Sequence, residues 1–308
     1  MRRLVELGAV DSWRWGGARY LLAIALAVVL GLAAAVPVFA AGEDGHYQTS
    51  VVGGDPVPNG KYPFMVSLQA NTSSAPPSKE HFCGGTLIDS DSVLTAAHCA
   101  DYIGALTIPG VFVSYRDVRI VVGLTTLDSS QGEVRKIERL THISIHPRYD
   151  RRTSAFDAAV IELNRPVQNV TPIRLARVVS KDRLERPGRS ARIAGWGTTK
   201  RVGPSEQNRD DVSNRLRDGT PPLVTDIKCD RAYNGDIRRA VHVCAGHRGE
   251  DTCQGDSGGP MWATIKAGRR QIGITSFGVG CGTTRYPGVY TEVNAPAIRS
   301  FITQTASG

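Results

Sequence analysis

The 308-residue chain is 41% hydrophobic and 21% charged, a balance that excludes a chain disordered throughout and a tail or linker protein. Its 33 glycines and 17 prolines, against 6% aromatic residues, favour turns and short strands over long helices. The formal charge is +8; the first forty residues and the acidic decapeptide after them cancel, so the excess belongs to the domain beyond residue 50, where a basic surface reads first as a solvated one.

Arg2, Arg3, Arg14 and Arg19 precede an apolar run from Tyr20 to Val36, followed by Val38-Phe39-Ala40. A basic start, an apolar middle and small residues at a cleavage point predict a secretory signal over residues 1–40, cut after Ala40. The competing reading is a retained membrane anchor, since the run is near the lower limit for crossing a bilayer. Arg2-Arg3 is a poor match to a twin-arginine signal. From Val51 onward, short β-branched or alternating runs alternate with Gly, Pro, Asn and Asp: Phe64 to Gln69, Val111 to Tyr115, Arg119 to Val122, Ala158 to Leu163, Ala191 to Ala194, Gln271 to Phe277 and Val289 to Val293. This spacing predicts an all-β barrel or sandwich, and the two strand groups on either side of Pro166 suggest a duplicated barrel. Asn71 and Asn169 begin glycosylation sequons, which matter only in a eukaryotic host. Arg135, Lys136, Arg139, Arg148, Arg151 and Arg152 form a candidate polyanion patch, but no interleaved aromatics support stacking, and nucleic acid is not expected as a partner. Lys200 to Pro222 reads as a long surface loop. Ile298, Phe301 and Ile302, following Pro296, fall at helical spacing and predict a short C-terminal helix.

Export places the six cysteines, Cys83, Cys99, Cys229, Cys244, Cys253 and Cys281, in an oxidising compartment, where three disulfides are the default. Spacing alone leaves fifteen connectivities open. Pairing of neighbours would close three local loops worth about 3 kcal/mol each. No C-x2-C pairs or finger-like histidines support zinc, and no metal or cofactor is expected.

Gly255-Asp256-Ser257-Gly258-Gly259-Pro260 is the most informative segment. A serine hydroxyl is a poor nucleophile without an adjacent base, and flanking glycines allow a tight turn whose N–H groups converge on one point. Thr95-Ala96-Ala97-His98-Cys99 supplies a candidate base, and Phe156-Asp157-Ala158 places a carboxylate at the mouth of an apolar strand. His98, Asp157 and Ser257 thus occur in the order His, Asp, Ser.

With these segments, and with Val51-Val52-Gly53-Gly54, Cys83-Gly84-Gly85, Gly195-Trp196-Gly197 and Pro287-Gly288-Val289-Tyr290, the chain resembles the trypsin-like serine endopeptidases of the chymotrypsin fold over residues 51–308. The resemblance implies two packed six-stranded antiparallel β-barrels with the active site between them, and the pairs Cys83–Cys99, Cys229–Cys244 and Cys253–Cys281. It implies Ser257 as nucleophile, His98 as general base and then acid, Asp157 as the group that fixes the imidazole, and the N–H groups of Gly255 and Ser257 as the oxyanion hole. Asp251 matches the base of the primary specificity pocket, with Thr252, Ser276, Gly278 and Gly288 around the substrate site, so protein or peptide substrates with Arg or Lys before the scissile bond are implied. Residues 41–50 would be a pro-segment, and a freed Val51 amine would pair with Asp256. Protein inhibitors are implied partners, and a monomer is expected.

Four departures from the family pattern bear on detail. Ser50 stands where many relatives carry Arg or Lys before the activation cut, Phe277 replaces a common Trp, and Thr252 replaces a common Ser. The calcium-binding carboxylates of some relatives are not matched over Leu124 to Glu133, so calcium is not expected. The reading from a different functional class is a non-catalytic protease homologue that acts as a binding protein. Such homologues usually lose a triad member, and here all three positions keep their chemical groups.

Overall fold

The computed structural model describes residues 51–71, 74–104, 113–178, 184–203, 212–246 and 249–306. The expected signal over 1–40 and pro-segment over 41–50 lie outside the described residues, as do part of the predicted Val111 to Tyr115 strand and of the long loop. No helix among the described residues is long and apolar enough to cross a membrane.

The fold is all-β: two curled sheets, antiparallel but for one short parallel pair, and few helices. The first sheet orders Glu133–Arg135, Val118–Val122, Met65–Ala70, His81–Leu87, Ser92–Thr95, Ala159–Glu162 and Ile143–Ile145. Alternate side chains of these strands close a core that includes Leu68, Ile120, Leu94 and Val160, all fully buried. The second sheet orders Asp55–Pro56, Arg217–Gly219, Arg192–Gly195, Pro260–Ile265, Gly268–Phe277, Gly288–Glu292 and His242–Ala245, with the dipeptide Arg174–Leu175 laid parallel to Gly268–Phe277. Among the described residues, setting aside its two dipeptide strands leaves the six expected, whereas the first sheet has seven.

Two of the predicted elements differ. Val113 and Ser114 carry no strand, and Tyr115–Asp117 is a turn of 3-10 helix capped by the Ser114 hydroxyl. A serine that captures a nearby N–H breaks the β pattern there. The end of the predicted surface loop is instead the strand Arg217–Gly219, paired with both Asp55–Pro56 and Arg192–Gly195. Its charged side chains hide the strand from composition: Asp218 is buried and bonded by Tyr62 Oη at 2.5 Å, Arg192 at 2.7 Å and Lys61 at 2.9 Å. The C-terminal helix, Pro296–Thr305, begins on Pro296 as expected and buries Ile298 and Ile302 against the first core.

The two sheets meet at a layer of Tyr62, Phe64, Trp196 and Trp262, in which Trp262 packs edge-to-face with Tyr62 and Phe64, ring centroids 5.0 and 5.8 Å apart. Polar bonds also cross between the sheets, as from Thr86 Oγ1 to Gln271 Oε1 at 2.8 Å. All six cysteines pair as the resemblance implied: Cys83–Cys99, Cys229–Cys244 and Cys253–Cys281.

Candidate active site

His98 lies in the first turn of the helix Ala97–Gly104, which follows directly on the buried strand Ser92–Thr95. The Cys83–Cys99 disulfide ties that turn to the neighbouring strand His81–Leu87. Asp157 follows a tight turn in which Ser154 and Phe156 take left-handed φ values of 51° and 58°, each costing about 1–3 kcal/mol for a non-glycine residue. That turn delivers the carboxylate to the helix: Oδ2 lies 2.8 Å from His98 Nδ1, and Oδ1 accepts the His98 backbone N–H at 2.9 Å.

The second sheet completes this arrangement. Ser276 falls at a register shift between Thr275 and Phe277, and its hydroxyl donates to Asp157 Oδ2 at 2.5 Å. Thr291 Oγ1 donates to the Asp157 carbonyl at 2.9 Å. Asp157 is fully buried. Burial alone would push its carboxyl up, but the His98 charge and the hydrogen bonds from His98 and Ser276 together hold it below the usual carboxylate range. A carboxylate can only accept, so Nδ1 carries the proton facing it and Nε2 is the basic nitrogen. Ser276, expected at the substrate site, has its hydroxyl committed to Asp157.

Ser257 sits in a turn between the sheets. Its carbonyl accepts the Gly84 N–H at 2.7 Å, and the Gly258 N–H reaches Thr275 O at 2.9 Å. Gly258 has φ 79°, and a Cβ there would stand 2.2 Å from Thr95 Oγ1, so the turn admits no side chain. Ser257, Gly255, His98 and Gln254 open together on one cleft of about 450 Å³, walled by Phe82, Tyr102 and the Cys83–Cys99 disulfide. Cys83, His98 and Cys99 bring ligand-type atoms together, but the disulfide leaves no thiolate for a metal.

His81 and Ser67 belong to this construction and were not singled out from the sequence. His81 Nε2 lies 2.9 Å from the Gly255 carbonyl and Nδ1 lies 2.8 Å from Ser67 Oγ. Burial pulls the imidazole down to about 4, against the opposing effect of that carbonyl, so His81 is neutral at pH 7. The only available hint was a histidine two residues before Cys83, and a lone histidine is weak information.

Asp251 does not line the catalytic cleft; it lies buried at 3% exposure. Its Oδ2 accepts the Gly282 N–H at 3.1 Å, while among the described residues Oδ1 has no hydrogen-bond partner. A Cβ on Gly288 would come within 2.5 Å of that Oδ1, so the bare glycine keeps its approach open. Burial pushes the Asp251 carboxyl up to about 7, against the pull of the Gly282 and Thr252 N–H groups. Thr252 Oγ1 lies 3.2 Å from Tyr290 Oη, and Gly278 stands beside Gly280.

Asp256 is buried between Gly197 and Cys253, whose N–H groups it accepts at 2.7 and 2.8 Å. Burial raises its carboxyl to about 7 as well. Val51 is fully buried in the second core with Ile193 and Met261, and its φ of 43° is left-handed, a costly angle for a β-branched residue. Val52 accepts the Asp251 N–H at 3.1 Å, which links the start of the domain to the candidate specificity acid.

Comparison with known proteins gives the family. The family model described as Trypsin matches residues 51–302. The chain is 36% identical over 247 residues to a trypsin of Saccharopolyspora erythraea, covering 80% of this chain and 94% of that one. It is 34% identical over 276 residues to a trypsin-like protease of Streptomyces glaucescens, covering 88% of each, and 33% identical over 250 residues to trypsin 5G1 of Aedes aegypti, covering 79% of this chain and 80% of that one. With this match over residues 51–302, the chain belongs to the trypsin family of serine proteases.

Proposed function

We propose that the protein is a secreted serine endopeptidase that hydrolyses peptide bonds after Arg or Lys, made with a leader at 1–40 and held inactive by residues 41–50. The observation that carries the catalytic part is the pairing of a fully buried Asp157 with both Nδ1 and the backbone N–H of His98, with His98 and Ser257 opening on one cleft. In this reading Ser257 Oγ attacks the scissile carbonyl as His98 Nε2 takes its proton. The oxyanion falls to the N–H groups of Gly255 and Ser257, and His98 returns the proton to the leaving amine. Water, activated by His98, then releases the acyl group from Ser257. Asp157 stabilises the imidazolium at each stage and stays ionised.

Specificity for a cationic side chain is supported by Asp251, a buried carboxylate whose Oδ1 has no hydrogen-bond partner among the described residues, behind a glycine wall. An arginine or lysine head group would supply the missing donor and the missing charge together. The experiment is covalent labelling with a fluorophosphonate probe, followed by cleavage profiling on a peptide library. An adduct on Ser257 with cleavage after Arg and Lys is expected. Absence of an adduct on correctly folded protein would favour a non-catalytic binding homologue, and a preference for Phe or Leu would overturn the specificity.

A further inference from the structure

A second cavity, of about 720 Å³, lies where the segment joining the two sheets runs under the C-terminal helix. None of the catalytic cleft residues lines it. Its walls carry four arginines, Arg174, Arg177, Arg270 and Arg299, against one carboxylate, Asp89. Asp89 Oδ1 is already committed to a turn, accepting the N–H groups of Asp91 at 3.0 Å and Ser92 at 2.6 Å. Apolar side chains complete the groove, including the buried Ile173 and Ile302.

The placement of two of these arginines is costly. Arg174 and Arg270 are direct partners in the short parallel ladder between Arg174–Leu175 and Gly268–Phe277, so their side chains leave the same face of the sheet. Like charges set opposite each other across a ladder destabilise it. The Arg270 guanidinium meets only carbonyls in the described structure, those of Arg269 at 3.0 Å and Ala267 at 3.4 Å, which leaves its charge unneutralised by them. A concave site with paired cations and an apolar floor suits a ligand that is anionic and partly hydrophobic.

We propose that this groove is a docking site for an acidic segment of a partner protein, one in which Asp or Glu side chains alternate with an aliphatic residue. The carboxylates would bridge Arg174 and Arg270, and the aliphatic side chain would lie on Ile173 and Ile302. The apolar floor favours a peptide over a sulfated glycan, which has no side chain to bury there. Arg174 and Arg270 place part of the +8 charge in a built concavity rather than spreading it over a solvated surface.

The test uses the mature full domain and a fluorescent octapeptide of Glu and Leu, free of Lys and Arg, followed by anisotropy at physiological ionic strength. Its Gln-for-Glu counterpart and a heparin oligosaccharide serve as comparison probes. Saturable binding is expected, at least tenfold tighter than the Gln peptide and weakened by added salt. The double variant Arg174→Glu, Arg270→Glu should lose at least tenfold in affinity, and hydrolysis of a small chromogenic substrate should stay unchanged and confirm its fold. Arg174→Gln should also bind more weakly while raising the melting temperature, because the like-charge opposition is relieved. The proposal is overturned by undetectable binding, by equal binding of the Gln peptide, by unaltered affinity in both variants, or by heparin binding more tightly than the Glu–Leu peptide.

Discussion

His81 donates from Nε2 to the Gly255 carbonyl over 2.9 Å, while Ser67 Oγ, 2.8 Å from Nδ1, donates to the other ring nitrogen. A carbonyl only accepts, so this tautomer follows from the neutral state that burial imposes. One buried imidazole therefore holds the peptide that lies between the N–H groups of Gly255 and Ser257. His81→Ala should lower kcat by about 10–100-fold with KM little changed, because the lost bond orders a turn that matters chiefly as charge develops. Steady-state kinetics on a small arginyl substrate check this split. His81 also titrates at about 4 when folded against 6.5 unfolded, so its contribution is complete above pH 6.5 and is lost as pH falls toward 4. The shift corresponds to about 3 kcal/mol, and the acid-side fall in melting temperature should shrink in His81→Gln.

Ser257→Ala removes the proposed nucleophile and leaves binding and the oxyanion donors in place. Turnover of a peptide amide should fall about 10⁶-fold. Turnover near wild type in active-site-titrated protein would show that another group forms the acyl intermediate.

The proposed role of Asp251 ties specificity to pH. Its carboxyl titrates at about 7 in the unliganded protein because of burial, and only the ionised form attracts a cation. Binding of benzamidine should therefore tighten as pH rises from 5 to 8 and level off above. In Asp251→Asn the affinity should be low and lack this Asp251-linked rise. Since the folded pKa is raised, the same burial favours the folded state below about pH 4 and loses that contribution as pH approaches 7. Asp251→Ser should reduce kcat/KM for an arginyl peptide by about 10²–10³-fold, in line with one partner of a buried pair removed.

Asp256 is a buried carboxylate that, among the described residues, meets only backbone N–H groups, from Gly197 and Cys253. A chain beginning at Val51 would bring an ammonium group to that region, whereas one beginning at Ala41 would not. Activity of the two forms, both refolded with disulfides intact, should differ by at least 10²-fold in favour of the shorter chain, the equivalent of about 3 kcal/mol in ordering the oxyanion turn. The advantage should fade at alkaline pH as the amine deprotonates. Equal turnover would remove the terminus from the mechanism.

The parts of the fold and site that were legible in the sequence are those in which a local pattern carries the physics. Alternating apolar residues gave the strands around Leu68, Ile120 and Val160, and glycines around Ser257 marked a turn whose backbone admits no Cβ at Gly258. Arg217–Gly219 was hidden because its strand character comes from pairing on both edges, and its buried Asp218 is compensated by Lys61, Tyr62 and Arg192 from distant positions. His81 was hidden for the same reason, since its two partners lie 14 residues ahead of it and 174 after it. The bond from the Ser276 hydroxyl to Asp157 was hidden too, since it depends on a register shift, and a bulge of that kind leaves no mark in composition.

Val51 carries one further implication through its left-handed φ of 43°. That angle is defined only while the carbonyl carbon of Ser50 precedes the Val51 nitrogen. Hydrolysis of the Ser50–Val51 bond would abolish the dihedral itself, and with it a steric cost of about 1–3 kcal/mol. In the proposed activation, the same buried side chain would then sit free of that torsional cost. Religation would have to reimpose the strain, which biases the junction toward remaining open once it has been severed.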